Sequence, residues 1–271
     1  MSVDLVIATR NDNPCGLRAS LQPLYDLILS GELKVYLVND SDEPLRLNSL
    51  QAGIAPVVHL VTTDARLGLA HALNIGIELG SSEFIARLDV GDNSSSKRFS
   101  EQKLFLENNT SVSLLGIKSM LHFYDNIGEK VRSVSSQGPL SNAEVIAELK
   151  KCNPFVHGSI MFRRKCFQDV GCYDEELMVA QDFGLYMKFY RFGFGFEIIQ
   201  GPDHSHDFRE GSSNTLLKNK LSRWNAMKLR LKYFSFNDYL SAPFIFFFLK
   251  DAILIALPSF LMSWVRGILG R

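Results

Sequence analysis

Glu83-Phe84-Ile85-Ala86-Arg87-Leu88-Asp89-Val90-Gly91-Asp92 is the stretch on which the reading of this 271-residue chain turns. Phe84 to Leu88 reads as a short buried strand, and it ends in two carboxylates, Asp89 and Asp92. Carboxylates at a strand end can hold Mg2+ or Mn2+, and such an ion can bridge two phosphates. The same arrangement recurs on the N-terminal side. Val3 to Ala8 is a β-branched apolar run ending in Thr9-Arg10-Asn11-Asp12-Asn13-Pro14. Val35 to Val38 is stopped by Asn39-Asp40-Ser41-Asp42-Glu43-Pro44, and Val57 to Val61 is a further strand. Between them, Leu17, Leu21, Leu24, Tyr25 and Ile28 fall at helical spacing as far as Gly31, and Leu67 to Leu79 is helical as far as Gly80. Alternating strands and helices predict an α/β fold, a Rossmann-like sheet flanked by helices. Ligands of such sheets bind beyond the carboxyl ends of the strands, where Asp12, Asp40, Asp89 and Asp92 all fall.

The second half is less regular. Helices are expected over Arg98–Asn108 and Asp182–Phe192, and strands over Val112–Gly116, Met120–Tyr124, Gly158–Phe162 and Phe196–Ile199. From about residue 214 the character changes. The whole chain has 29 basic and 29 acidic residues, but residues 211–271 carry nine Lys or Arg against two acids. Leu217, Leu221, Trp224, Met227 and Leu231 follow helical spacing among Lys218, Arg223, Lys228, Arg230 and Lys232, and apolar segments follow. The longest uncharged stretch, between Asp251 and Arg266, is too short for the ~20 apolar residues of a spanning helix. A domain over 1–213 is therefore expected to carry a basic, hydrophobic helical tail over 214–271 that lies on an anionic membrane surface.

Composition narrows the class. With 46% hydrophobic and 21% charged residues the chain is globular. The acidic body argues against nucleic-acid binding. Four cysteines without paired spacing read as reduced thiols of a cytosolic protein, and the opening residues lack the pattern of a signal peptide.

Several motifs, in order, resemble the family 2 inverting glycosyltransferases that build bacterial surface polysaccharides. Gly68-Leu69-Ala70-His71-Ala72-Leu73-Asn74 is followed by the opening stretch and by Arg98-Phe99-Ser100-Glu101-Gln102. Val38-Asn39-Asp40-Ser41, Asn153-Pro154-Phe155-Val156-His157-Gly158-Ser159, Gly171-Cys172-Tyr173-Asp174-Glu175 and Gln181-Asp182-Phe183 complete the series. The resemblance implies a nucleotide-sugar-binding fold of glycosyltransferase A type. It implies a donor pocket formed by Thr9, Arg10, Asp40 and Arg66, with Asp89 and Asp92 serving the diphosphate and its Mn2+ or Mg2+. It also implies Asp182 as general base, since an inverting attack needs a carboxylate on the acceptor side. His157 is read either as an acceptor contact or as a structural histidine. Arg209 is the candidate clamp on the donor diphosphate, with His204 and His206 assisting it or binding metal.

The implied reaction moves a sugar from a nucleoside diphosphate, UDP-galactose being a candidate, to a polyprenyl-diphosphate-linked saccharide. It would serve O-antigen or capsule synthesis at the cytoplasmic face of the inner membrane. Two departures stand out. Gly91 replaces a usual metal-binding carboxylate, and Gln181 replaces the acid that usually precedes Asp182. They are the support for a rival reading, a non-catalytic membrane-bound partner. A nucleotidyltransferase is a further rival, though Thr9 to Pro14 lacks the glycine-rich basic loop it would need.

Overall fold

A computed structural model describes residues 2–256 apart from 11–13, 46, 48–49, 51–53, 64–65, 126, 202, 210–214 and 240–241. The chain runs β1 (Val3–Thr9), α1 (Pro14–Leu21), α2 (Tyr25–Leu29), β2 (Leu33–Asn39), β3 (Val58–Thr62), α3 (Leu69–Leu79), β4 (Phe84–Arg87), β5 (Asn93–Ser94) and α4 (Ser96–Asn108). It continues β6 (Val112–Ile117), β7 (Met120–Tyr124), β8 (Lys130–Ser135), α5 (Asn142–Leu149), β9 (Met161–Arg163), α6 (Arg164–Val170), α7 (Gln181–Arg191), β10 (Gly195–Ile199) and β11 (His204–Arg209). The tail is α8 (Thr215–Tyr233), α9 (Phe236–Tyr239) and α10 (Ala242–Ala256).

The α/β fold with a mixed, Rossmann-like sheet is the fold observed. Seven strands lie in the order β10-β6-β9-β4-β1-β2-β3, all parallel except β9, which runs against both its neighbours. Along β1 the period of two is plain: Val3, Leu5 and Ile7 join the core under α1 and α4, while Val6 joins the core under α3. On that second face Gly76 lets α3 close onto the sheet, since a Cβ there would lie 2.6 Å from Val6 Cγ1. A four-stranded sheet, β5-β11-β7-β8, flanks the main one. At the start of β1, buried Asp4 accepts from Ser82 N, Ser82 Oγ and Arg164 Nη2 at 2.8, 2.6 and 2.6 Å. This ties α6 to the first strand. Removing one partner of such a buried pair costs about 3–5 kcal/mol.

Several expected elements differ at their ends, and three of them have a local cause. The helix expected over 17–28 is split by a 3-10 turn at Gln22–Leu24, where Pro23 has no N–H to continue the ladder. The strand expected from Gly158 begins at Met161, because His157–Ser159 forms a 3-10 turn. The strand expected from Phe84 ends at Arg87, one residue before Leu88.

The tail is packed onto the body. Leu229, Phe234 and Phe244 belong to the same core as Phe183, Tyr186 and Phe189 of α7. Arg230 donates to Lys151 O at 2.7 Å, and Lys150 pairs with Asp238 at 2.8 Å. The expected boundary at 213/214 and the stretch 257–271 lie outside the described residues, as does Asp12. No helix among the described residues is long and apolar enough to cross a membrane.

Candidate active site

The turn after β4 is closed by Asp92 N donating to Asp89 O at 3.1 Å. Gly91 sits in it at φ +94°, a conformation that L side chains rarely adopt, and its N–H is fixed by Ser20 Oγ at 2.9 Å. The turn holds Asp89 and Asp92 side by side. Asp89 accepts from buried Arg87 at 2.7 Å. Burial pushes the Asp89 carboxyl up, but Arg87, His157, His206 and Arg98 together outweigh it and hold Asp89 below the ordinary carboxylate range. Asp92 is 2% exposed. Burial raises it, and the neighbouring Asp89 charge adds to the rise against the opposing pull of His206.

His206 on β11 reaches Asp92 Oδ1 at 2.5 Å. Burial lowers its basicity, yet the bond to Asp92 and the charges of Asp92 and Asp89 raise it overall. His204 Nε2 lies 3.5 Å from Asp92 Oδ2. Neither His204 ring nitrogen has a hydrogen-bond partner, nor has Asp92 Oδ2, although all three are buried. Burial, with Arg98 and His206 nearby, holds His204 neutral, well below its usual range. Ligand atoms of Asp89, Asp92 and His206 all lie within 4.8 Å of one another. Two carboxylates suit Mn2+ or Mg2+, the imidazole favours the transition-metal ion of the two, and unpartnered buried polar atoms call for an ion or water. The residues present therefore fit a divalent cation.

Beside this cluster is a cavity of about 550 Å3 at the carboxyl ends of β1, β2 and β4. Thr9, Arg10, Asp40 and Asp89 line it. Asp40 accepts from Thr63 Oγ1 (3.0 Å), Leu67 N (2.8 Å) and Gly68 N (2.9 Å), so it also shapes the loop entering α3. Residues 177–181 form the opposite wall, with Glu175. Glu175 is held by His71 at 2.7 Å and by Asn74 at 2.8 Å, and Asn74 also exchanges two bonds with the Tyr173 backbone. Arg66 lies apart from the cavity lining, exposed and paired with Asp42. Arg209 ends β11, and its side chain lies outside the described set.

A second cavity, of about 610 Å3, lies on the other side of the start of α7. Ala180, left-handed at φ 65°, lines both cavities; Gln181 lines the first and Asp182 the second. Asn153 Nδ2 donates to Asp182 Oδ2 at 2.6 Å, while Oδ1 has no partner among the described residues. Gln181 Nε2 donates back to Met178 O at 3.1 Å. His157 lines neither cavity: its Nε2 meets Tyr173 Oη at 2.9 Å, and burial with Arg87 nearby keeps it neutral. The charges of Asp89 and Asp182 both act on His157, so the two acidic sites share one electrostatic neighbourhood.

Asn74, Asn153, Arg98 and Gln102 have no role that the sequence alone assigns. Arg98 donates to Arg87 O and Gln102 to Ser159 O, at 2.8 and 3.0 Å, bracing the strand end that carries Asp89. All four lie inside the quoted motifs, which was the available signal.

No protein-family profile matches the chain. It is 26% identical over 233 residues to the amylovoran biosynthesis glycosyltransferase AmsE of Erwinia amylovora, covering 85% of this chain and 83% of that one. It is 25% identical over 179 residues to the UDP-Gal:alpha-D-GlcNAc-diphosphoundecaprenol beta-1,3-galactosyltransferase of Escherichia coli, covering 65% and 63%. S. aureus TarS, residues 1–349, superposes with a TM-score of 0.65 at 14% identity over 94% of this chain and 73% of that one. The same protein in complex with UDP gives 0.60 at 15% identity, over 91% and 70%. By fold and by sequence relationship the chain is an enzyme of the glycosyltransferase class, built on the A-type fold.

Proposed function

We propose that the chain is a family 2 inverting glycosyltransferase that moves a hexose from UDP to a hydroxyl of a lipid-linked saccharide, in assembly of a bacterial surface polysaccharide. The observation that carries this is the division at residues 181–182. One cavity holds the nucleotide-type residues Thr9, Arg10, Asp40 and Asp89, the other holds a carboxylate with an unengaged oxygen, and consecutive residues face the two. The relatives' names favour UDP-galactose as donor and an N-acetylglucosamine on a lipid diphosphate as acceptor.

In this reading Asp40 takes a hydrogen bond from the nucleotide base, and Thr9 and Arg10 flank it. Asp182, fixed by Asn153, accepts the proton of the attacking hydroxyl through Oδ1. Asp89, Asp92 and His206 would hold the divalent cation, whose charge would offset the charge that develops on the leaving diphosphate. Arg87 and Arg98 are spent on carbonyl oxygens and on Asp89, Gln102 and Ser94, so neither substitutes for that cation.

The tail supports a peripheral position on the cytoplasmic face of the inner membrane. α10 exposes Ile245, Phe246, Leu249 and Ile253 along one stripe, and α8 exposes Leu221, Trp224 and Leu231 beside Lys228 and Lys232. The test is a panel of nucleotide sugars incubated with a synthetic N-acetylglucosaminyl lipid diphosphate, read by mass spectrometry. A disaccharide product formed by the parent and lost in Asp182→Ala is the expected result. In a separate arm that supplies a nucleoside triphosphate and a sugar 1-phosphate, release of inorganic diphosphate with formation of a nucleotide sugar would favour a nucleotidyltransferase instead.

A further inference from the structure

The second cavity has an unusual far wall, built from the tail. Arg223 and Arg230, seven residues apart on α8, both reach Asp251 of α10, at 2.6 and 2.9 Å. Arg230 is 2% exposed, yet its Nε is buried without a partner, and so is that of Arg223. Lys250 lines the same cavity, its ammonium 5.0 Å from the Phe247 ring centroid and without an acidic partner among the described residues. Lys151, also in the lining, is balanced by Glu148 at 2.7 Å. Two guanidiniums thus share one carboxylate and Lys250 has none, which leaves two positive charges unbalanced on the tail side. Asp182 stands on the body side of the same space.

We propose that this wall binds the phosphate or diphosphate of the acceptor, so that the tail forms half of the acceptor site. Guanidinium N–H groups with open valence and an ammonium without an acidic partner are suited to phosphate oxygens. An anionic group at Arg223 and Lys250 turns the attached sugar toward Asp182 across the cavity. The proposal rests on the transfer reading above for the role of Asp182, but the anion site is testable by binding alone.

The experiment uses the full chain with UDP and Mn2+. A short-alkyl diphosphate ester of N-acetylglucosamine, the matching monophosphate ester and the neutral alkyl N-acetylglucosaminide are titrated calorimetrically into parent, Lys250→Ala and Lys250→Arg. Loss of one charged contact is expected to weaken the diphosphate ester by about 10- to 100-fold in Lys250→Ala. Lys250→Arg is expected to restore affinity, and the neutral glycoside should bind all three proteins alike. The monophosphate arm shows whether one phosphate suffices. Equal affinity of parent and Lys250→Ala for both phosphate esters overturns the proposal, as does an equal loss for the neutral glycoside. Anionic vesicles form a separate arm: if Lys250→Ala weakens vesicle binding and leaves the esters unaffected, the residue belongs to the membrane surface and the proposal fails. If the esters bind as expected but no sugar is transferred from any donor, the transfer reading falls while the anion site stands.

Discussion

Asp40→Asn tests the donor cavity most sharply, because the side chain has two separable jobs. Its two oxygens accept three internal donors: Thr63 Oγ1 and Leu67 N on one, Gly68 N on the other. Asparagine has one carbonyl oxygen. In either amide orientation its NH2 group faces a backbone N–H, of Gly68 or of Leu67. One part-buried backbone donor is left facing the amide, at a cost at the low end of the range for an unpaired donor, about 1 kcal/mol. Stability measured by urea unfolding should fall by that amount. The proposed contact from the nucleotide base is lost in the same variant, and the 67–68 loop that lines the cavity loosens. A charge-assisted hydrogen bond converts to roughly 10- to 100-fold in affinity. Calorimetric titration of UDP in the presence of Mn2+ reads that loss directly. A stability loss of the expected size with unchanged UDP affinity would refute the nucleotide assignment and leave Asp40 a loop anchor. Unchanged stability would refute the hydrogen-bond account.

Four further outcomes are expected. Asp182→Ala should lower turnover by about 10²- to 10⁴-fold, the usual contribution of general base catalysis, with UDP affinity unchanged; Asn153→Ala should cause a smaller loss of the same kind, because it only orients the carboxylate. His206→Ala should weaken Mn2+ binding in the presence of UDP, measured by electron paramagnetic resonance, by more than the ~10- to 100-fold that loss of an outer-shell partner gives; equal Mn2+ affinity would remove His206 from the metal set. Asp238 is pushed up by burial, but its bonds from Lys150, Ser235 and Tyr190 hold it at about 2. Its stabilisation is therefore full above the unfolded value of about 4 and is lost as pH falls through about 2. Acid unfolding followed by circular dichroism should show a smaller drop in stability between those values in Asp238→Asn than in the parent.

The legibility of the chain followed the physics of each element. β1, β2 and β4 are buried on both faces, so they appear as continuous apolar runs and were readable. β8, Lys-Val-Arg-Ser-Val-Ser, is exposed throughout and has no apolar phase to read. α5 carries a local signal instead of a long apolar period, the capping box of Ser141 and Glu144. The positions of Asp40, Asp89 and Asp182 at strand ends and a helix start were readable because they are local to the sequence. The residues that hold them were not. Asn74 meets Tyr173 across 99 residues, Asn153 meets Asp182 across 29, and no pattern within either segment encodes the meeting. His204 and His206 show how one missed element changes a site. Spacing of two is poor for a helix, but on a strand it puts both rings on one face, here against Asp92.

The two departures from the family pattern can be argued the same way. A carboxylate at position 91 would have to adopt φ +94°, and the structure instead brings His206 across from β11 to stand with Asp89 and Asp92. On the proposed reading, the third candidate ligand thus comes from another strand. At position 181 the amide donates to Met178 O, which a glutamate carboxylate could not do. That bond braces the left-handed Ala180 between the two cavities, and Asp182 lines the second of them. Neither substitution removes a group that the proposed chemistry needs. The charge split along the chain takes on a local meaning too. The acidic body supplies Asp89, Asp92 and Asp182, and the basic tail is folded against it through Arg230 and Asp238. Deleting the tail would strip Leu229, Phe234 and Phe244 from the core, so truncation cannot separate anchoring from folding. Replacing the exposed Phe246 and Leu249 with serine leaves that core intact and isolates the surface contribution.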